Sequence, residues 1–196
     1  MVAVGGDGDG LAIGGGHFPH VARNNVDLTY IMFNNAIYGM TKGQFSPTTT
    51  LFSSTKTSPF GLPGDALNPS ALAIIYGASF VARGFSVKKE HLKDLITQGI
   101  RHPGFAFIEI LTSCSSFNTT DMNVARILKA MEYVPAGHDA KDPIAALRLA
   151  GDDAKIHLGV LRRKPRPTLE ESFQDIREKA TRGKPATIET LARQFA

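Results

Sequence analysis

Cysteine is almost absent from this sequence of 196 residues, which contains one cysteine, Cys114, and no tryptophan. A single cysteine excludes an internal disulfide framework, and it excludes a four-cysteine zinc or iron–sulfur site built from this sequence alone. No apolar run approaches the roughly 18 residues that a membrane-spanning helix needs. Residues 1–4 lead directly into glycines without a signal-peptide pattern. The sequence therefore predicts a soluble, cytoplasmic protein without a membrane segment.

Charge is moderate and dispersed. The net charge is +4 and the isoelectric point is near 9.3, with basic residues concentrated only at 162–166. Such a distribution favours a solvated surface over a nucleic-acid-binding patch, and it leaves room for an acidic protein partner. With 42% hydrophobic residues, the chain can fill the core of one substantial domain.

Strand and helix patterns alternate along the chain. A short apolar strand at 2–4, a glycine-rich turn and a helix at 11–23 precede a second strand at 28–33, which makes a βαβ unit. The alternation predicts a three-layer α/β/α domain with a mostly parallel sheet over 1–134, followed by a small C-terminal extension over 135–196. The remaining predicted elements are a loop at 41–68, a helix from Pro69 capped by Asn68, strands at 80–82, 105–111 and 156–161, and helices at 87–98, 122–131, 142–149 and 169–179.

Acidic residues interrupt the first glycine turn. Glycines between a strand and a helix can cradle a phosphate, because backbone amides and the positive helix terminus both favour an anion. Asp7 and Asp9 stand between Gly6, Gly8 and Gly10, where carboxylates would repel a phosphate. A hard divalent cation such as Mg²⁺ between the two removes the conflict, since it takes oxygen ligands and bridges phosphates.

A second polar motif, Asn34-Asn35, follows the next strand, 28 residues after Asp7 when counted to Asn35. One helix and one strand fit into that interval, so both motifs should reach the same carboxyl edge of a parallel sheet. Gly6-Asp7-Gly8 with Asn34-Asn35 resembles the motif of thiamine-diphosphate enzymes. The longer strings at 6–9, 13–17 and 35–48 resemble the β subunits of 2-oxoacid:ferredoxin oxidoreductases. Within them, Thr41-Lys42-Gly43-Gln44 is similar to the 2-oxoglutarate-type or broad 2-oxoacid enzymes.

The resemblance implies a set of roles for these residues. Asp7, Asn35 and the backbone carbonyl of Ile37 would hold Mg²⁺, and Lys42 would face the substrate or the cofactor. The resemblance also implies oxidative decarboxylation of a 2-oxo acid to an acyl-coenzyme A, with a partner α subunit and electron transfer to ferredoxin. Thiamine diphosphate would contact Gly6, Asp7, Gly8, Asp9, Asn35, Ile37, Gly39, Met40 and Thr41.

The cysteine content departs from the family pattern. Cys114 lies just before a Ser-Ser-Phe-Asn segment, where family members carry a ligand of a [4Fe–4S] cluster. The further cysteines that belong upstream in the family are missing, which suggests a sequence shortened at its N-terminus. We therefore expect no cluster in this chain alone, and we expect the isolated chain to be inactive.

Other interpretations of these residues stay open. Aspartates are common in turns, an exposed lysine is usually solvated, and a free cysteine is often a small buried apolar residue. Two other classes of protein also remain: a thiamine-diphosphate-dependent decarboxylase or synthase without a cluster, and a non-catalytic, shortened subunit that keeps only the binding scaffold.

Overall fold

The computed structural model describes residues 1–55, 57–181 and 187–193. It contains a six-stranded sheet with the strand order β1-β2-β4-β3-β6-β5. The strands are β1 (Val2–Gly6), β2 (Thr29–Asn34), β3 (Phe80–Phe85), β4 (Ala106–Leu111), β5 (Met131–Tyr133) and β6 (Ile156–Arg163). The described helices are α1 (Asp7–Leu11), α2 (Phe18–Asn24), α3 (Pro69–Ile75), α4 (Lys89–Arg101), α5 (Val124–Ala130), α6 (Pro143–Ala150), α7 (Leu169–Thr181) and α8 (Ile188–Ala192).

The predicted three-layer architecture with a mostly parallel sheet is confirmed. Strands β1, β2, β4 and β3 pair in parallel, and every residue of β3 and β4 is buried. Strands covered on both faces read as near-continuous apolar runs, as these two do. Phe18, Val81 and Phe107 belong to the core beneath α2, α3 and α6, whereas Phe80 and Ile108 pack on the opposite face beneath α4.

Two elements differ from the predictions. In place of the single helix expected at 11–23, α1 ends at Leu11, a 3₁₀ turn follows at Ile13–Gly16, and α2 begins at Phe18. Three successive glycines disfavour a continuous helix, and a Cβ atom on Gly14 would lie only 2.5 Å from the carbonyl oxygen of Asp9. A short strand, β5, was not predicted, and it begins at Met131, the last residue of the helix expected at 122–131.

The C-terminal part of the chain contributes to the same sheet. Strand β6 pairs antiparallel with β3, so that β3 lies between β4 and β6. Strand β5 then pairs with β6 at the edge of the sheet. The sheet therefore continues across the boundary between 1–134 and 135–196. The division of the chain into a cofactor-binding domain and a C-terminal extension at this boundary remains a prediction. Within the described residues, none of the helices combines the length and apolar character needed to cross a membrane.

The long loop was correctly placed. Residues 35–68 contain no helix and no strand beyond isolated bridges among the described residues. Backbone hydrogen bonds within the loop hold it together, including Leu67 N–H to the carbonyl of Pro47 at 2.8 Å and Phe52 N–H to the carbonyl of Leu62 at 3.0 Å. The loop ends at Asn68, whose side chain accepts from the backbone N–H of Ala71 and caps α3 as predicted.

Candidate functional site

The two polar motifs meet at the carboxyl edge of the sheet. Strand β1 ends at Gly6, which is in register with Phe33 of β2, so Asp7 and Asn34 follow at the same level. The Tyr38 hydroxyl donates to the carbonyl oxygen of Gly8 at 3.2 Å, which ties the second motif to the first. A Cβ atom on Gly8 would lie 2.2 Å from the Tyr38 ring, so this contact requires glycine.

Asp7 is buried, with 2% of its surface exposed, and its carboxylate accepts a hydrogen bond from the Thr48 hydroxyl at 2.7 Å. None of the ion pairs within the described part of the chain includes Asp7. Burial raises the pKa of Tyr30 and of Tyr38, and the negative charges of Asp7 and Asp9 raise both further. A buried carboxylate in an acidic surrounding fits a cation, which would offset its desolvation.

Asp9 has a structural role in addition to any role in binding. It is exposed, and its carboxylate accepts the backbone N–H of Gly6 at 3.0 Å, across the first turn of α1. A side chain that satisfies an N–H group at a helix start stabilises that start. Gly6 is partly buried as the last residue of β1, and the Asp9 carboxylate satisfies its N–H group at the start of α1.

Asn35 and Ile37 form a turn directly beyond β2. The Asn35 side-chain oxygen accepts the backbone N–H of Ile37 at 3.0 Å, so in this chain it is used within its own turn. Ala36 between them has a left-handed backbone with φ of 55°, which is unfavourable for a residue other than glycine. The Thr49 hydroxyl donates to the Ala36 carbonyl at 2.8 Å, and the Asn34 side-chain oxygen accepts the Ala36 N–H at 3.1 Å. These bonds hold the strained turn.

Residues 38–44 form a tight turn that projects from the site. The bridge between Tyr38 and Gln44 closes it, and the Thr41 hydroxyl bonds to the side chain of Gln44. Gly39 is partly buried, whereas Met40 and Thr41 are exposed. Lys42 is exposed, with a φ of 75°, and none of the ion pairs in the described ranges includes it. The structure brings these residues next to the Asn35 turn, and Tyr38 lies near enough to Asp7 for its charge to act on the Tyr38 hydroxyl.

Cys114 lies in a loop tied to the same turn. Its sulfur accepts the backbone N–H of Phe117 at 3.4 Å. Burial raises the pKa of the Cys114 thiol, but backbone N–H groups from Ser116, Phe117 and Asn118 outweigh it and lower the pKa overall. Asn118 then donates to the carbonyl of Asn35 at 3.2 Å. The loop therefore favours a thiolate close to the proposed cofactor site.

The sequence reasoning missed a buried polar chain behind Asp7. Glu109 on β4 is 2% exposed and accepts from the Asn34 amide at 2.8 Å, from the Ser70 hydroxyl at 2.5 Å and from Arg83 Nε at 2.9 Å. Arg83 and Glu109 are register partners on β3 and β4, which explains why they meet. The sequence does contain a signal for this pair, since each of two apolar strands carries one charged residue. Charged side chains are rarely buried unless they are paired, so the two charges could have been expected to meet.

The proposed donor set suits a hard cation that is held partly by a phosphate. It consists of one carboxylate, one amide and one backbone carbonyl, all oxygen donors from Asp7, Asn35 and Ile37. No group of three or more His, Cys, Asp or Glu side chains placed for metal binding occurs among residues 1–55, 57–181 and 187–193. The set differs from such clusters because two of its three ligands are uncharged.

Comparisons with known proteins agree with this geometry. Residues 1–110 match the family of thiamine pyrophosphate enzymes, in their C-terminal cofactor-binding domain. The chain is 48% identical over 118 residues to a 2-oxoacid:ferredoxin oxidoreductase β subunit of Saccharolobus solfataricus, covering 60% of the chain and 39% of the relative. A corresponding β subunit of Aeropyrum pernix is 34% identical over 199 aligned positions, covering 95% of the chain and 64% of the relative. Both matches span less than two thirds of the relative's length.

A solved structure matches over the whole chain. It is the 2-oxoglutarate:ferredoxin oxidoreductase of Magnetococcus marinus with 2-oxoglutarate, coenzyme A and succinyl-coenzyme A bound. The match has a TM-score of 0.90 at 38% identity, and it covers 100% of this chain and 68% of the matched chain. The fold and the sequence therefore point to the same family.

Proposed function

The chain belongs to the β subunits of the 2-oxoacid:ferredoxin oxidoreductases, within the thiamine-diphosphate-binding enzymes, and we propose from this that it supplies the diphosphate-binding side of their active site. The observation that carries the proposal is the buried carboxylate of Asp7, which has no cationic partner among the described side chains and lies beside the Asn35 turn. Asp7, Asn35 and the Ile37 carbonyl would bind Mg²⁺ against the diphosphate, with Gly6 and Gly8 allowing the close approach.

The reaction we propose is the oxidative decarboxylation of a 2-oxo acid, with the acyl group passing to coenzyme A and the electrons passing to a ferredoxin. Thiamine diphosphate, when bound, supplies the electron sink that this decarboxylation needs. The chain's own residues bind and orient: Asp7 would hold the cation that offsets the diphosphate charge, and the Tyr38 hydroxyl bonds to the Gly8 carbonyl beside it. A partner α subunit would complete the site from the other side.

The Cys114 loop would face the electron-transfer route. Its lowered thiol pKa and three nearby N–H groups suit a thiolate ligand of an iron–sulfur cluster. Because the chain has one cysteine, three further ligands would have to come from elsewhere. A cluster-free thiamine enzyme and a non-catalytic scaffold stay as alternatives, and an activity assay combined with iron analysis separates them from the proposal.

We expect the chain purified by itself to be colourless after anaerobic reconstitution with iron and sulfide. It should also fail to reduce viologen with a 2-oxo acid, coenzyme A, thiamine diphosphate and Mg²⁺. The complex isolated from its native cells through a tag on this chain should be brown and active. An active complex without a cluster, or a complex that binds thiamine diphosphate but never turns over, would instead support one of the two alternatives. About four irons on the chain alone would contradict the cysteine argument.

The substrate we propose is 2-oxoglutarate, and its second carboxylate is the reason for a role of Lys42. Support comes from the position of Lys42 on the strained turn beside the site, and from the 2-oxoglutarate bound in the solved relative. Residues in sparsely populated backbone regions concentrate at functional sites. A desolvated charge pair can contribute on the order of 2 kcal/mol, and an exposed one contributes less.

Lys42→Ala should therefore lower kcat/KM for 2-oxoglutarate about tenfold more than for pyruvate, a ratio that corresponds to about 1.4 kcal/mol. Lys42→Arg keeps the charge and is the matched control, which should retain most of the preference. Steady-state kinetics of the complex with both substrates would measure the two ratios. Equal losses on both substrates would reject a specificity role and favour cofactor positioning by this turn.

A further inference from the structure

A continuous buried hydrogen-bond chain joins the Asp7 carboxylate to an ion pair in the centre of the sheet. The Thr48 hydroxyl lies 2.7 Å from the Asp7 carboxylate and 2.9 Å from the side-chain oxygen of Asn34. The amide nitrogen of Asn34 donates to Glu109 at 2.8 Å, and Glu109 is paired with Arg83 at 2.9 Å. All five side chains are buried.

Glu109 determines which way the Asn34 amide faces. Burial alone would raise the pKa of Glu109, but the charge of Arg83 and hydrogen bonds from Ser70, Arg83 and Asn34 lower it, so the carboxylate is ionised. An ionised carboxylate only accepts hydrogen bonds. The Asn34 nitrogen must therefore point to Glu109, and the Asn34 oxygen must point the other way.

The fixed Asn34 oxygen organises both halves of the cation site. On one side it accepts from the Thr48 hydroxyl, which shares its single proton between the Asn34 oxygen and Asp7 in a three-centre hydrogen bond. On the other side it accepts the N–H of Ala36, the strained residue that precedes Ile37. A reversed amide would present two N–H groups to the Ala36 N–H and would lose that bond.

We propose that Glu109 is a positioning residue that, through Asn34 and Thr48, sets the geometry of Asp7 and of the Ile37 carbonyl for a divalent cation. This inference rests on the cation site of the proposed function. It assigns to Glu109 on β4, and through it to Arg83 on β3, a role in metal affinity beyond the pairing of their charges. Groups that orient metal ligands typically change metal affinity about 10- to 100-fold when they are lost.

The near end of the chain is tested with Thr48→Val, which keeps the shape of the side chain and removes the hydroxyl. We expect the Mg²⁺ concentration needed for half-maximal thiamine diphosphate binding to rise about tenfold in the purified complex. Thr48→Ser is the matched control and should restore the wild-type midpoint. Calorimetric titration with Mg²⁺ at fixed thiamine diphosphate measures both, and the melting temperature of the metal-free protein reports whether the fold is intact.

The far end is tested with two variants of the ion pair. In Glu109→Gln, Arg83 and Ser70 both still need an acceptor, so the new amide nitrogen must face Asn34 and reverse its amide. In the double variant Arg83→Met/Glu109→Gln, the nitrogen can face Ser70 instead, whose hydroxyl also accepts, and the Asn34 orientation is restored. Glu109→Gln should therefore weaken Mg²⁺ binding about tenfold, and the double variant should recover most of it.

The outcomes separate this inference from the proposed function. An unchanged Mg²⁺ midpoint in Thr48→Val would overturn the inference, even if Glu109→Gln does not fold. A double variant as weak as Glu109→Gln would overturn the role of Glu109. If Asp7→Asn leaves Mg²⁺-dependent binding intact, the cation site itself is wrong, whatever the Thr48 variants do. Loss in Asp7→Asn with normal binding in Thr48→Val would keep the site and remove only the positioning chain.

Discussion

The Asp7→Asn variant should lose more than about 100-fold of the Mg²⁺-dependent affinity for thiamine diphosphate, which exceeds the loss expected for a group that only orients a ligand. Asparagine keeps the size of the side chain and can still accept from Thr48, so the local hydrogen bond survives. What disappears is the negative charge, and a hard cation depends on it because the other two proposed ligands are neutral. Calorimetry with and without Mg²⁺ measures the change.

A matched control for this variant is Asp94→Asn. Asp94 lies on the exposed side of α4, where its carboxylate bonds to Gln98 at 2.6 Å, far in sequence from the proposed site. Removing this charge should leave the Mg²⁺ titration unchanged, which shows that an altered net charge alone does not matter. If Asp7→Asn bound thiamine diphosphate with the wild-type dependence on Mg²⁺, the assignment of Asp7 as a ligand would be wrong.

The periodicity of the sequence was sufficient to predict the overall architecture of this fold. Apolar strands separated by amphipathic helices predicted a parallel sheet, and the interval between Asp7 and Asn35 predicted that both would reach one edge. The hydrogen bond from the Tyr38 hydroxyl to the Gly8 carbonyl shows that the segments following the two strands do lie side by side. The Asn68 cap could also be predicted from neighbouring residues alone, because Asn followed by Pro at the first helical position specifies a helix start.

Features that depend on several strands at once could not be predicted in the same way. The place of β6 beside β3 follows from tertiary packing, and its residues alone do not distinguish parallel from antiparallel pairing. The pairing of Arg83 with Glu109 depends on the β3–β4 register, which nothing in either strand specifies alone. The broken helix was partly visible, since Gly14 to Gly16 disfavour helix, but the close approach of Gly14 to Asp9 is a three-dimensional fact.

The site residues show the same division. The family resemblance supplied Asp7, Asn35 and Ile37, and their roles as ligands remain proposals. It gave no role to Thr48, which lies within the matched string, or to Glu109, which lies outside it. Both side chains became visible only through their hydrogen bonds, because an outer layer of support has no fixed spacing in sequence.

The buried ion pair also makes a prediction about stability. Arg83→Met should lower the free energy of unfolding by about 3 to 5 kcal/mol, because it leaves the carboxylate of Glu109 buried without its cation. Arg83→Met/Glu109→Gln should recover much of this loss, since a neutral amide needs no countercharge. Lys155→Met removes a cation from the exposed pair with Glu132 and should have a much smaller effect. Urea unfolding of the three variants at pH 7 measures these differences.

The dependence on pH distinguishes a lost ion pair from a lost packing contact. In the wild type the pKa of Glu109 is lowered, so its contribution to stability is present above the unfolded pKa, with an ordinary value of 4.5, and is lost as the pH falls through the folded pKa. In Arg83→Met the folded pKa of Glu109 should instead be raised by burial, so folding takes up a proton and the variant gains stability as the pH falls. The gap between wild type and variant should therefore narrow between pH 7 and pH 5. A gap that stays constant over this range would mean that the stability lost in Arg83→Met comes from packing, and that Glu109 is not held as a buried carboxylate.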